Sequence, residues 1–184
     1  LHVAVGMNNV VVFYRYADQT KVNEQNYVGR VDALRLNSRF AAVLSNGRCT
    51  LHDIEGDGHK KQLPMRDDAS DARLQTATDI ALTDHVLIFG TEAGTVELFS
   101  IEDWCMLAGA ELRHSAPIAQ ISANRLGTRV VVVDADGAGL VYSPATADQA
   151  PLPGLPPIEN GERKKLVVMW DTVDKNIVLA YDGE

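Results

Sequence analysis

The sequence predicts an all-β fold, a fragment of a β-propeller with about four four-stranded blades. Three observations carry this: turn glycines at a near-constant interval, an aliphatic–ring pair after each turn, and an almost complete lack of helical periodicity. Gly47, Gly94, Gly137 and Gly183 stand 47, 43 and 46 residues apart. Each follows a small or polar residue (Asn46, Ala93, Asp136, Asp182), as tight turns with positive φ prefer. The strand after the turn places an aliphatic residue before a ring in every unit: Val12–Phe13, Leu51–His52, Leu98–Phe99, Val141–Tyr142. An interval near 45 residues with four strands per repeat is the propeller signature. A β-sandwich also has frequent turns, but nothing in it requires their contents to align.

The elements follow in order. Leu1–Gly6 and Val10–Tyr14 flank the turn pair Asn8–Asn9. Arg30–Leu36 shows the alternation of a half-buried strand and precedes the hairpin Arg39–Ser45 and Arg48–Asp53. The acid-rich stretch from Asp53 to Asp71 reads as loop, as does the charged run Asp67–Gln75. Asp79–Thr83, Val86–Thr91 and Thr95–Ser100 repeat the pattern, with a more polar fourth strand within Cys105–Leu112. Ile118–Ala123, Arg129–Asp134 and Gly139–Ser143 repeat it again, and Lys165–Trp170 with Asn176–Tyr181 begin another unit. The approximate blade pieces are 1–26, 27–65, 74–112, 114–157 and 163–184, all within one propeller. Val31, Leu34, Leu36, Val43, Leu51, Ile80, Leu82, Ile88, Leu98, Val131, Val133, Val141, Val167 and Val178 are expected to be mostly buried. The end units are partial and there is no initiator Met, so the chain is expected to continue at both ends. Expressed alone, it is expected not to be a stable monomer, because half-blades leave strand edges unpaired.

Composition narrows the function. The chain has 184 residues, 46% of them hydrophobic and 23% charged, enough to build a core. No apolar run approaches the roughly 18 residues of a membrane helix, so direct membrane insertion is not expected. A formal charge of −8 argues against non-specific binding to nucleic acid or to an anionic membrane. Cys49 and Cys105 cannot make a disulfide framework, and a reducing compartment suits them.

The residues that could carry chemistry each have a plainer reading. Asp53, Glu55 and Asp57 with Gly58 mimic a calcium loop, yet the required twelfth-position Glu is Pro64. His2, His52, His59, His85 and His114 are scattered, and Cys49 lies a full repeat from Cys105, so no zinc site is expected. His52 occupies the ring position and reads as a core histidine held by a hydrogen bond. Asp134 and Asp136 flank a hairpin turn, where a glycosidase-like pair would need a carboxylate from elsewhere. Pro151–Pro157 reads as an outer edge or an inter-blade connection, and Lys164–Lys165 is too small a basic patch to matter. No nucleophile elbow or phosphate loop occurs. No residue is assigned a catalytic, cofactor-binding or metal-binding role, no cofactor is expected, and partner-binding residues are not assigned.

The stretch Phe89–Trp104 carries a resemblance: Gly90–Thr91 and Gly94 before Val96, running into Ile101–Glu102–Asp103–Trp104. With Asn124–Arg129, Gly139–Pro144, Val178–Asp182, Val28–Val31, Leu36–Asn37 and Leu51–His52, the chain resembles the WD repeat-containing protein 19 family. These are large subunits of intraflagellar transport complex A. The match runs in order along nearly the whole chain. It implies a degenerate WD40-like propeller, the second of two, ahead of a helical-repeat tail. The Trp–Asp ending of regular WD repeats is missing: units end Phe13–Tyr14, His52–Asp53, Phe99–Ser100 and Tyr142–Ser143. The hydrogen-bond network built on that dipeptide is therefore not assumed, and stability is expected to rest on apolar packing between blades.

The resemblance implies a non-enzymatic scaffold for protein–protein interaction in retrograde ciliary and flagellar transport, cilium biogenesis and ciliary membrane-protein trafficking. Its implied partners are other complex A subunits, with membrane-protein cargo contacted indirectly. Its implied locations are cilium or flagellum, basal body and cytoplasm. The competing expectations are a coat-type vesicle-trafficking scaffold and a ligand-binding or enzymatic propeller. The latter would bring acids and histidines of neighbouring blades to one mouth of a channel.

Overall fold

The computed structural model describes residues 1–56, 58–64, 71–108, 112–152, 166–174 and 176–181. Its strands are β1 (His2–Met7), β2 (Val10–Arg15), β3 (Lys21–Asn26), β4 (Val31–Leu36), β5 (Phe40–Ser45), β6 (Arg48–Asp53) and β7 (Lys60–Leu63). Then follow β8 (Ala77–Leu82), β9 (Val86–Thr91), β10 (Thr95–Ser100), β11 (Cys105–Met106), β12 (Leu112–Arg113) and β13 (Ile118–Ala123). The last are β14 (Val130–Asp134), β15 (Gly139–Ser143), β16 (Asp148–Pro151), β17 (Val167–Trp170) and β18 (Val178–Tyr181). They form separate meandering sheets, β1-β2-β3, β4-β5-β6-β7, β8-β9-β10 with β11 and β12, β13-β14-β15-β16, and β17-β18. Every pairing given a register is antiparallel. Repeated small antiparallel sheets are the propeller architecture read from the repeat. The chain divides into two compact units, Leu1–Ala77 and Thr78–Glu184.

The middle strands explain why the sheets form. All six residues of β5 and of β10 are buried, as are all five of β14. A strand buried on both faces must lie between two covering layers, so these three sheets are packed on both sides, whereas β1, β17 and β18 keep much of their surface exposed. In the first unit, Val11 and Phe13 pack with Tyr27, Ala41, Val43 and Ile54. In the second, Ile88, Val96 and Leu98 pack with Ile118, Ile121, Val130, Val132 and Tyr142. Gly90 admits this contact, because a Cβ there would meet the Ile118 side chain at 2.5 Å. The ring position is buried in every unit: Phe13, His52, Phe99 and Tyr142 are each at most 5% exposed.

Several expectations need correction. The fourth strand within Cys105–Leu112 is two short pieces, β11 and β12, both on β10, and residues 109–111 are outside the described set. The polar outer strands β3, β7 and β16 escaped a reading based on apolar alternation, because outer edges bury little. β7 lies inside the stretch read as an acid-rich loop. A short 3₁₀ helix, Ala72–Gln75, occupies part of the charged run, where the Asp71 side chain accepts the Arg73 amide N–H. Val167 is half exposed, and Val31, Leu34, Leu36, Leu82, Val141 and Val178 are only partly buried. Polar side chains also join sheets, beyond apolar packing. Asp79 Oδ2 accepts the Ile121 amide at 2.9 Å, and the Gln120 amide both donates to Leu166 O and accepts from Leu166 N. Pro151 ends β16, the outer strand of its sheet, and 153–157 lie outside the described residues.

The turns test the repeat directly. Gly47, Gly94 and Gly137 have φ of +69°, +83° and +86°, and each closes a hairpin. Ser45 pairs with Arg48, leaving Asn46 (φ +50°) and Gly47 as a two-residue loop with both residues left-handed, which is type I′. The other two are three-residue loops, closed by Gly94 N–H to Thr91 O and Gly137 N–H to Asp134 O. Ala93 therefore keeps negative φ, and so does Asp136, although an Asp tolerates the left-handed region that a type I′ turn would place it in. Gly183 lies outside the described residues. Gly58, within the acid-rich stretch read as loop, is sterically constrained, since a Cβ there would meet Asp53 Oδ2 at 2.1 Å. Gly94→Ala places its Cβ 2.6 Å from the carbonyl oxygens of His114 and Ala116, on top of the left-handed strain. We expect it to cost about 2–4 kcal/mol in urea denaturation. Gly6→Ala, with ordinary φ and its nearest contact at 3.9 Å, should leave the midpoint nearly unchanged.

Candidate functional site

The densest polar cluster in the first unit surrounds His52 and Asp53 at the end of β6. β6 points His52 inward because the side-chain period of two sets it on the face that Phe13 covers, edge-on at 5.4 Å. His52 Nδ1 donates to Asp53 O at 2.7 Å, so Nε2 accepts from the Tyr27 hydroxyl, also at 2.7 Å. Burial lowers the His52 pKa and holds the ring neutral. Burial likewise raises the Tyr27 hydroxyl. The histidine is thus the hydrogen-bonded core residue that its place in the repeat suggested.

Asp53 turns toward the loop that follows. Its Oδ1 accepts from Arg39 Nε at 2.8 Å and its Oδ2 from the His59 amide at 2.7 Å. Burial by itself would raise this carboxyl, but the His59 amide and then Arg39 outweigh it, and the pKa is lowered overall. Gly58 lets the loop close over the carboxylate. Glu55 accepts from His2 and from Arg15. These two acids of the calcium-like loop are thus engaged by cations and amides of the chain, and Asp57 lies outside the described residues. Among the described residues, no group of three or more His, Cys, Asp or Glu side chains is arranged to hold a metal ion. A cleft of about 160 Å³ opens beside this cluster, lined by Gln25, His52, Gly56, Gly58, His59 and Lys60. Both ring nitrogens of its most buried member, His52, are already bonded.

In the second unit, His114 Nδ1 meets Asp134 Oδ2 at 2.9 Å with both side chains almost fully buried. Asp134 Oδ1 accepts the Ala138 amide, while His114 N–H bonds Gly94 O. The pair thus pins the approach to β13 onto the β14–β15 hairpin. His114 Nε2 is buried without a hydrogen-bond partner. Sequence reasoning treated Asp134 with Asp136 and missed the histidine, 20 residues upstream; a His just before an inner strand and an Asp ending the next was the available signal. Cys49 is buried, which pushes its thiol to about 12 and keeps it protonated, whereas Cys105 is exposed. His85 bonds Glu102 at the surface. Lys164 and Lys165 lie outside the described residues. No helix among the described residues is long and apolar enough to cross a membrane.

This geometry locks loops to sheets; each engaged acid or histidine closes a structural contact. Replacing His52 by Phe keeps a ring but strands the Tyr27 hydroxyl, which we expect to cost about 1–3 kcal/mol. Adding Tyr27→Phe should recover much of that loss, measured by a double-mutant cycle in urea. The pH dependence has a defined sign. With the folded pKa of His52 below its unfolded value near 6.5, its contribution is full above about pH 6.5 and is lost as pH falls through the folded value. Asp53, also depressed, adds stability present above about pH 4 that is lost in stronger acid. Denaturation midpoints between pH 7.5 and 5 should therefore fall in the parent chain and fall less in His52→Phe. His114→Ala leaves buried Asp134 Oδ2 without this hydrogen-bond partner, and an expected loss of about 1–3 kcal/mol is checked by urea denaturation.

The family model described as the WDR19 second beta-propeller matches residues 1–184. A WD repeat-containing protein 19 from Homo sapiens is 33% identical over 194 residues, covering all of this chain. The worm protein dyf-2 of Caenorhabditis elegans is 24% identical, again over the whole chain. The chain spans 14% of the length of each of these relatives. Among solved structures, a chain in a crystal structure of the mitotic checkpoint complex superposes over all of this chain and 56% of its own length. Its TM-score is 0.68 at 14% identity. Hsv2 from Kluyveromyces marxianus gives TM-score 0.68 at 15% identity, over 97% of this chain and 56% of its own. These structures support the propeller fold.

Proposed function

We propose, because this chain belongs to the WDR19 second beta-propeller family, that it is a non-catalytic interaction segment of an intraflagellar transport complex A subunit. In this reading residues 1–184 form part of one propeller, acting in retrograde transport along cilia or flagella and in the delivery of ciliary membrane proteins. Its partners are other complex A subunits, and cargo is reached through them. The protein works in the cilium or flagellum, at the basal body and in the cytoplasm. The observation that carries the reading is the family match over the whole chain, in order. The chemistry agrees: the most buried histidines and acids are engaged in loop-closing bonds, as a rigid presenting surface requires.

The test is made on the full-length protein in a ciliated cell. Tagged at its own locus, it should sediment with complex A subunits in a large assembly. Cells whose copy lacks residues 1–184 should accumulate transport particles at ciliary tips. Sedimentation as a free chain, together with normal tip clearance after the deletion, would overturn the reading.

A further inference from the structure

We propose, resting on that scaffold reading, that one hairpin-loop end of the second unit docks a basic segment of another subunit, bearing Lys or Arg among aliphatic anchors. Three equivalent hairpins reach this end: the loops joining β8 to β9, β13 to β14 and β17 to β18. They emerge side by side. A Cβ at Gly127, in the second loop, would touch the Thr83 side chain of the first at 3.4 Å. Trp170 Nε1, at the end of β17, donates to Ser122 Oγ near the end of β13 at 3.2 Å. The turn after β10 joins them where the Ile101 amide bonds His85 O at 2.9 Å.

Hairpin tips ordinarily carry Gly, Asn, Asp or Ser. Here they present aliphatics: Val173 is 94% exposed, Ile177 55% and Leu126 51%. Single exposed apolar residues mean little, but neighbouring loops that share the feature form a patch suited to a partner. The loop that carries Val173 is held in place. Asp171 accepts the amides of Val173 and Asp174, and Asp174 accepts that of Asn176, so the anchor is presented with little ordering left to do on binding.

Charge selects the partner. Asp171 and Asp174 frame Val173, and exposed Asp84, Glu102 and Asp103 continue the rim. Against them stand Arg125, Arg129 at the base of the same loop, where it bonds Ser143 Oγ, and His85, bonded to Glu102; Lys175 lies outside the described residues. The bonds that Asp171 accepts lower its pKa, so it stays ionised. In the first unit the corresponding loops neutralise themselves, Glu55 against Arg15 and Asp53 against Arg39. Apart from Glu102, the carboxylates of this rim meet no cationic side chain among the described residues, and an apolar patch framed by them is complementary to a basic amphipathic segment; such contacts weaken with salt.

The experiment compares full-length protein, free and in its native assembly, by carbodiimide labelling of carboxylates with glycine ethyl ester. Carbodiimide alone then joins carboxylates directly to lysines. Labelling of Asp84, Glu102 and Asp174 should fall at least threefold in the assembly. Their cross-links should lead to lysines of one other subunit, in a segment that also bears aliphatic residues. The exposed double variant Leu126→Ser with Val173→Ser should fold as the parent does and lose at least tenfold in cross-link yield. Equal labelling in the two states overturns the proposal. So does protection by the protein's own chain, or a cross-linked segment without basic residues. A protein that sediments in the assembly with this rim fully reactive disproves the docking surface alone; one that never enters the assembly disproves the scaffold reading, and the docking surface with it.

Discussion

The rest of the structure depends on sheets that are apolar on both faces. A strand such as β10, in which all six residues are buried, cannot be satisfied by one covering layer, since alternate side chains point to opposite sides. The sheet must lie between neighbours. Phe99 and Leu98, adjacent in sequence and on opposite faces, are both almost fully buried. Burying such side chains contributes roughly 1.5–3 kcal/mol each, so the cores of each unit, built from middle strands, outweigh anything on the loops. Close approach between sheets then becomes a requirement on single positions, as at Gly90, where only a missing Cβ makes room for Ile118.

Polar groups are fitted around that packing, and their geometry shows a second constraint. A buried amide or carboxylate must find a partner or cost about 1–3 kcal/mol. Gln120 meets the demand by pairing both of its amide atoms with Leu166, and Asp79 by accepting the Ile121 amide. Both stand at the third place of an inner strand; Asp79 reaches the middle of the next inner strand, and Gln120 the residue just before the one that follows. These bonds have direction, which apolar packing lacks, so they specify how one sheet follows another in the second unit. His114 with Asp134 does the same between the approach to an inner strand and the hairpin beyond it. In the first unit, His52 ties the ring position to Tyr27.

This division of labour bears on function. Acids and histidines that would draw notice in a sequence are, in the described residues, mostly engaged in closing loops. What is left outward is a set of hairpin tips whose composition is free to vary without disturbing the sheets. A scaffold needs such an arrangement: an interior that holds the tips in place, and tips whose charge and apolarity select a partner.

Local chemistry was legible in the sequence. The hairpins were readable because a tight turn needs positive φ, which Gly47, Gly94 and Gly137 supply. Inner and middle strands were readable because burial forces apolar alternation or apolar runs. The outer strands β3, β7 and β16 were not, because an edge facing solvent imposes no pattern that sets it apart from loop. The His52 assignment was legible from its alignment with Phe13, Phe99 and Tyr142, a position that only a core side chain can hold. The His114–Asp134 pair was decided by tertiary structure, since residues 20 apart meet only once two strands have set their register. The same holds for Gly58, whose need for a missing side chain arises from a carboxylate folded back over it. Sequence determines what each residue can do alone; which residues meet is decided by sheet pairing and packing, because those contacts join parts of the chain that share no local signal.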